Sequence, residues 1–550
     1  MSDQTVNSTK YRWARPGDIN AFFGLMLDNV TGLMFLVLLL TQIFGFPQEF
    51  VVSAMVPGTA LGVVIGDLAF FFLAFRLAKK TGSSDVTAMP LGLDTPSTFG
   101  FVFFILGPSY AIGVSELGLD SMAAAMRTWH IGIWCIVLSG ILKLLLAPMT
   151  NWIRRVVPRA GLLGSLAAIA LVLISFMPLM HIFHNPLPGM FALGLVLTSL
   201  IAKLPLPGRT PGTLAALIVA GIIYYIMCFA EAPGYHLPST DTAVNWFPTA
   251  WLDAWQFGWV SSFSDALQYL PIAFPFAIGT VVGGIDCTES AAAAGDDYHT
   301  PTVIAIEGIA TLLAGLSGGV IQTTPYIGHP AYKAMGGRAA YTLATALLIG
   351  TAGLIGYFQI LNAWIPVPVI MPILVFIGVE ITAQSFQATP KKHYAAVAVA
   401  CLPALAFLAF NYSDQLMADF GKTIPDVGNP ELAGNLQTLR MLSSGFILTS
   451  LFWAWALAAA IDRKLNVAAI VMVVAAIFTL FGVMHSPLPG NQLFVPLGPE
   501  SWGSMVLDET NRRYVLEYAG GYAVCALMYF AWGFYLQKCK PEVATEQDAE

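Results

Sequence analysis

Charge is what this sequence has least of. Asp, Glu, Lys and Arg make up 10% of its 550 residues, against 57% hydrophobic residues and a mean hydropathy of +0.72. A soluble chain carries about 25% charged residues. This one cannot cover a water-exposed surface, which excludes a soluble enzyme, a nucleic-acid binder and a disordered scaffold. Net charge is -7, with no basic tract for nucleic acid. The cysteines (Cys135, Cys228, Cys287, Cys401, Cys525 and Cys539) form no CxxC, and most lie in apolar runs. They read as small core residues, not as a disulfide or zinc framework. The polar stretch before Ile19 has no apolar h-region, so no cleaved signal peptide is expected. Enzyme motifs are missing too. Gly421-Lys422-Thr423 matches only the end of a phosphate-binding loop, since Leu416 stands where that motif needs glycine, and there is no HExxH. No enzymatic activity, cofactor or metal is expected.

What is present is a series of apolar runs that approach or reach the roughly 20 residues needed to cross a bilayer. Sixteen are counted, near 19–44, 51–75, 94–114, 126–147, 158–181, 188–202, 211–230, 268–294, 301–317, 325–336, 339–360, 366–386, 393–410, 441–461, 467–485 and 516–537. With the N-terminus in the cytoplasm and strict alternation, 20 of the 25 Lys and Arg fall on the cytoplasmic side, Lys143 among them. The expectation is a multi-pass protein of the cell (inner or plasma) membrane with both termini cytoplasmic. Gly58, Gly62 and Gly66 form a GxxxGxxxG stripe on the second run, read as close helix packing.

Two interrupted segments are the most informative feature. One runs from Thr87 through Asp94, Thr95, Pro96, Ser97 and Thr98 to Gly100; the other runs from Val320 through Thr324, Pro325, Tyr326 and Gly328 to His329 and Pro330. Each reads as an extended stretch, then Thr-Pro, then a helix. Thr at the N-cap and Pro at the first helical position is how helices begin. A helix that begins at membrane depth leaves N–H groups that need protein, water or ligand. The segments run in opposite directions, and each is the third of its half. That pattern predicts an inverted repeat whose half-helices, at segments 3 and 10, meet at the midplane around a substrate, with Pro96 and Pro325 equivalent.

Acidic residues at membrane depth are costly and usually face a cavity or a partner. Asp28 with Asn29, Asp67, Asp286 and Glu289 are such residues; Asp286 and Glu289 are three apart and share a helix face. Asp296 and Asp297 read as solvated loop charges. His329 is a candidate donor to substrate.

Ile285 to Tyr298, with Glu289-Ser290 and Gly295-Asp296-Asp297-Tyr298, resembles the Glu-Ser-x-Gly-Asp-Tyr-Tyr region of the nucleobase–ascorbate transporters, the xanthine/uracil permeases. Glu307-Gly308 with the run to Gly319 resembles the next helix of that family, and Pro325 to Arg338 its tenth-segment signature. Leu27-Asp28-Asn29 stands where the family often has Gln-His. The resemblance implies an all-α polytopic fold of two inverted seven-segment repeats. Core-domain parts would be 19–147 and 266–360, and gate-domain parts 158–230 and 366–461. Around these lie a cytoplasmic N-terminus (1–18), an outer loop (231–265), an extra C-terminal membrane hairpin (467–537) and a cytoplasmic tail (538–550). It also implies a homodimer and movement of core against gate. Glu289, or Asp286 given the altered spacing, would be the carboxylate that binds the substrate ring, and Tyr326 and Gly328 would fall in the signature.

The expected activity is ion-coupled, proton-driven symport of a nucleobase such as xanthine or uracil. Asp28, Asn29, Asp94, Thr95, Ser97, Thr98, Asp286, Glu289, Thr324, Tyr326, Gly328 and His329 would bind substrate, and Glu289 and Asp286 would carry the proton. The expected partners are the lipid bilayer, a small-molecule substrate and a coupling ion. The competing expectation is an inorganic or small organic anion transporter or exchanger of the same fold, in which helix N-termini and a base such as Lys333 do the binding.

Overall fold

The computed structural model describes residues 11–150, 159–207, 210, 212–237, 244–326, 328–489, 494 and 507–539. The start of the expected N-terminus (1–10), the tail from 540 on, residues 238–243 of the expected outer loop, Ile327, and the basic residues Arg154, Arg155, Arg209 and Lys540 lie outside the described residues. Among the described residues, ten helices are long and apolar enough to cross a membrane, and twelve if each of two bent pairs is one span. The bent pairs are Ala340–Ile355 with Phe358–Trp364, at 93°, and Pro430–Ser443 with Phe446–Ile461, at 75°. Pro186–Ile201, Thr300–Leu316 and Leu465–Leu480 are shorter apolar helices. Each apolar run thus has a helical counterpart except 325–336, which is a strand, a short connection and a six-residue helix.

The chain divides into two compact units. The first comprises Met1–Arg154 and Leu173–Val379. Its helices are α1 (Gly17–Leu38), α2 (Val56–Thr81), α3 (Thr95–Phe101, continued helically to Ser115), α4 (Ser121–Leu146), α5 (Leu270–Ala293), α6 (Thr300–Leu316), α7 (His329–Ala334) and α8 (Ala340–Ile355). Strand β1 (Leu91–Leu93) precedes α3, and β2 (Thr323–Pro325) precedes α7. The strands pair antiparallel. Antiparallel pairing of two segments from opposite halves of the chain, each leading into a helix, is the local form of an inverted repeat.

Local chemistry sets the ends of these elements. The Asp120 side chain accepts from the N–H groups of Met122 and Ala123 at the start of α4. Lys79 and Lys80 lie in the last turn of α2, which closes on Gly82 at φ 67°. The glycine stripe packs as expected. A Cβ on Gly58 would lie 2.1 Å from the Ser317 carbonyl, one on Gly62 2.7 Å from the Ala314 methyl, and one on Gly66 2.4 Å from the Leu91 side chain.

The second unit comprises Arg155–Val172 and Glu380–Glu550. Here α9 (Tyr394–Asp419) and α10 (Phe446–Ile461) meet Arg159–Ile169 through small side chains, Ala160, Ala167, Ala396, Ala400, Ala454 and Ala458. Two helices, α11 (Leu465–Leu480) and α12 (Glu509–Cys539), fall in the stretch expected as a C-terminal hairpin and pack on α10 through Leu448, Phe452, Val471, Met472 and Ala526. Buried His485 fixes this packing further. Its Nε2 is 2.8 Å from the Tyr522 hydroxyl, which also accepts from Trp453 Nε1 at 2.8 Å. Cys525 is exposed on α12, so it is not the small core residue expected of it.

Candidate functional site

The strand pair is built from backbone outward. Leu91 pairs with Pro325, Gly92 with Thr324 and Leu93 with Thr323. Two flanking bonds lengthen the ladder: the Tyr326 N–H donates to Pro90 O and the Asp94 N–H to Gln322 O, both at 2.9 Å. A two-stranded ladder has two outer edges, and at membrane depth each exposed polar group needs a partner. On the β1 edge, the Leu91 N–H donates to Asp67 Oδ1 and the Leu93 N–H to Asn29 Oδ1, each at 3.1 Å. On the β2 edge, Lys143 Nζ donates to Thr323 O at 2.9 Å, the Thr323 N–H donates to Thr311 Oγ1 at 3.3 Å, and Cys287 Sγ donates to Pro325 O at 3.2 Å. Polar side chains from five helices hold the two strands. Asn29 is fully engaged, because its Nδ2 also donates to Leu25 O at 3.0 Å.

The start of α3 differs from expectation in one residue. Asp94, not Thr95, is the N-cap. Its Oδ2 accepts the Ser97 N–H at 2.7 Å, and its carbonyl accepts the Thr98 N–H at 2.9 Å and Thr98 Oγ1 at 2.8 Å. Thr95 and Pro96 occupy the first turn. A carboxylate outcompetes a hydroxyl for the free N–H groups, and Ser97 and Thr98 are spent on the cap.

The second segment departs further. Thr324 and Pro325 do not start a helix; they lie in β2, where proline, having no N–H, fits the end of an edge strand. The helix begins at His329, with Gly328 as N-cap and Pro330 in the first turn. The register relates residue n of the first segment to n + 232, since 324 − 92 = 232. Pro96 is therefore equivalent to Gly328, and Pro325 to Leu93.

Around the strands stand several of the expected site residues. Asp28 is half-buried, with Oδ2 3.3 Å from where a Cβ on Gly92 would lie. Thr324 and Tyr326 are half-buried, and the Tyr326 ring lies over Gly328, where an added Cβ would be 2.5 Å away. Asp286 and Glu289 are half-buried on α5, which touches β2 through Cys287.

His329 and Asp296 belong elsewhere. Asp296 is buried rather than solvated, and Asp297 is the exposed one. Asp296 Oδ2 accepts the Thr87 N–H at 3.0 Å and lies 3.2 Å from His329 Nε2; its Oδ1 lies 2.8 Å from Lys333 Nζ. Tyr298 donates to Thr87 O at 2.6 Å. Burial pushes the Asp296 carboxyl up. The hydrogen bonds from His329, Lys333 and Thr87, with the Lys333 charge, outweigh it and hold the group below its ordinary value. His329 and Lys333 thus join a knot that ties the residues before β1 to α7. Nearby, Arg338 pairs with Asp85 and its N–H donates to Asp18 Oδ1.

Sequence reasoning missed Lys143, Glu307 and Gln322. Lys143, counted as a cytoplasmic charge, is fully buried in α4, 2.8 Å from fully buried Glu307 of α6. The signal was there, because a lysine inside Gly140–Leu146 interrupts an apolar run as sharply as Asp67 does. A separate cavity of about 260 Å³ lies at the C-terminal end of α1. Thr41, Gln42, Gln48 and Asn362 form its polar part.

No family model and no curated protein matches this sequence. Among solved structures, the transmembrane domain of a cyanobacterium bicarbonate transporter, BicA, is similar at 13% identity and a TM-score of 0.47, over 80% of this chain and 96% of that one. SLC26A9 is similar at 12% identity and a TM-score of 0.48, over 96% of this chain and 91% of that one. The murine anion transporter Slc26a9 in its inward-facing state is similar at 14% identity and a TM-score of 0.40, over 72% and 66%.

Proposed function

We propose that this protein is a secondary active membrane transporter, and that the strand pair with the start of α3 is where it binds a small polar solute. The observation that carries this reading is a backbone ladder between two opposed segments, leading into a helix start and flanked by half-buried Asp28 and by the α5 segment that bears Asp286 and Glu289 and touches β2 through Cys287. Irregular backbone at membrane depth is tolerated where it is buried in protein or lines a solute path. Asp28, Asp94, Thr95, Thr324, Tyr326 and Gly328 are the binding residues of this reading; Ser97 and Thr98 hold the α3 start, and Asn29 and His329 position the segments.

The substrate class we favour carries N–H donors, as a nucleobase such as xanthine or uracil does. Carboxylates accept such donors, and the start of α3 is already occupied by the Asp94 carboxylate, which repels an anion. The resemblance to the nucleobase–ascorbate transporters points the same way. A second reading, transport of a small anion, is supported by Lys143, a buried cation bonded to the β2 carbonyl. Proton coupling, a homodimer, movement of core against gate, and cytoplasmic termini complete the proposal.

The test is uptake into vesicles holding the full chain under an inward pH gradient. Radiolabelled uracil competes with xanthine, adenine, sulphate and bicarbonate. Accumulation blocked by bases and untouched by sulphate is expected. Sulphate or bicarbonate uptake without base uptake moves the assignment to the anion reading, and uptake of none of them overturns both.

A further inference from the structure

At the outer edge of β2 lies a charged pair that the favoured substrate reading does not use. Lys143 Nζ is 2.8 Å from Glu307 Oε1, and both side chains are wholly buried. Lys143 also donates to Thr323 O at 2.9 Å and to Thr311 Oγ1 at 3.3 Å. The Thr280 hydroxyl lies beside the Glu307 carboxylate but donates to Ala277 O at 2.9 Å, and neither end of the Gln322 amide has a hydrogen-bond partner, although Glu307 and Gln322 are fully buried. Gln322 directly precedes Thr323, the residue Lys143 holds. The Ser139 hydroxyl, one turn before Lys143, is likewise buried and unpartnered.

A mere clamp between α4 and α6 does not call for this chemistry. Replacing a buried ion pair by apolar residues of similar size is often neutral or stabilising, so such a pair is weak evidence for a stabilising role. What distinguishes this one is its connection. Its ammonium is bonded to the backbone of β2, and the Gln322 amide next to the residue it holds is unpartnered. A buried polar group left unpartnered in a native structure calls for an explanation, of which a functional role is one.

We propose that the coupling site is the Lys143–Glu307 pair, with Glu307 the carboxyl that takes up and releases the coupling proton and Lys143 the positioning residue that transmits the change to β2. This rests on the transporter reading above. It moves the proton from Asp286 and Glu289 to the buried pair on the outer edge of β2. The step is a simple protonation: a proton from water binds a Glu307 oxygen, and the ion pair with Lys143 is lost. Lys143 then has no counter-ion beside Thr323 O, and its balance with the other groups nearby changes. Those groups are Asp94 at the start of α3, Asp286 and Cys287 on α5, and Asp67 of α2 on the neighbouring strand; β2 itself and the turn Ala147–Met149 bring no titratable side chain. The Thr323 carbonyl is one ladder step from the Gly92–Thr324 pair, so a shift at Lys143 reaches the proposed binding site directly.

The test uses the full chain with E307Q, K143M and the double variant K143M/E307Q. The double variant removes both charges, so it avoids the unpaired buried charge that each single variant leaves. Two measurements are made. Infrared difference spectra between acid and neutral pH, on the solubilised protein without substrate, are expected to show a protonated-carboxyl band in wild type that E307Q and the double variant lack and that D286N and E289Q keep. In vesicles, with uracil and sulphate as probes, the double variant is expected to keep exchange of pre-loaded probe. Its gradient-driven accumulation ratio is expected to fall to one. A band that survives in the double variant, or accumulation that survives in it, overturns the proposal. Loss of the band in E307Q with no uptake of either probe by wild type leaves the proton site standing and refutes the transporter reading instead. Uptake by wild type that D286N or E289Q uncouples and E307Q does not refutes this proposal and leaves the transporter reading intact.

Discussion

Asp67 Oδ1 accepts the backbone N–H of Leu91 at 3.1 Å, joining the middle of α2 to the outer edge of β1. Both residues are buried. An acidic residue at membrane depth thus finds its partner in a strand edge that would otherwise be unpaired. Asp67→Ala leaves the Leu91 N–H unsatisfied and is expected to cost about 1–3 kcal/mol. Asp67→Asn keeps a carbonyl acceptor of the same size and is expected to cost less than half of that. Thermal unfolding of the solubilised protein checks the order; equal losses in the two variants would mean that the charge, not the acceptor, matters there.

The glycine stripe of α2 makes a graded prediction. At Gly58 an added methyl meets backbone, the Ser317 carbonyl at 2.1 Å and the Gly319 nitrogen at 2.4 Å. Backbone cannot rotate away, so Gly58→Ala is expected to destabilise by about 1–3 kcal/mol, as overpacking does. Gly434, inside Pro430–Ser443, has nothing within 4 Å of an added Cβ. Gly434→Ala is expected to raise stability by about 0.4–1 kcal/mol, because alanine restricts the unfolded chain. Opposite shifts in unfolding temperature are the check.

These two cases show what the sequence made legible. The spans, the paired interruptions and the close packing at Gly58, Gly62 and Gly66 follow from hydropathy, proline and small residues, which are local signals. The register does not. Whether Pro325 starts a helix or ends a strand depends on which residue faces it across the ladder, and only the fold brings Leu91 opposite. Lys143 and Glu307 are 164 positions apart (307 − 143), so neither announces the other. Asp296 read as solvated because it stands among polar neighbours after α5. What buries it is Thr87 and His329, both from distant parts of the chain.

Asp296 also predicts a pH dependence. Its folded carboxyl is held below the ordinary value, so it contributes stability that is fully present above the unfolded value of about 3.9 and is lost as pH falls through the folded one. Asp296→Asn removes the ionised acceptor of His329, Lys333 and the Thr87 N–H. The variant is expected to be less stable than wild type at neutral pH, with the gap closing on acidification below about pH 4. Unfolding temperature against pH for both proteins is the measurement. A gap that widens toward acid would show that the knot does not favour the charged carboxylate.

The substrate class turns on Asp94. Its carboxylate caps α3 through the Ser97 N–H at 2.7 Å, so the positive end of that helix faces a negative charge of its own. A solute with N–H donors gains from this carboxylate, whereas an anion is repelled by it and would gain from the N–H groups it covers. Asp94→Asn keeps an N-cap oxygen, so the helix start should survive with a loss well under the roughly 1 kcal/mol typical of removing a cap. It removes the charge. On the N–H-donor reading, uracil binding to Asp94→Asn is expected to weaken about tenfold, equal to ~1.4 kcal/mol, with sulphate binding absent before and after. On the anion reading, sulphate binds wild type and binds the variant more tightly. Calorimetric titration of both proteins with uracil and with sulphate separates the two by the sign of the change. Tighter sulphate binding in Asp94→Asn would move the assignment from a nucleobase-like solute to an anion.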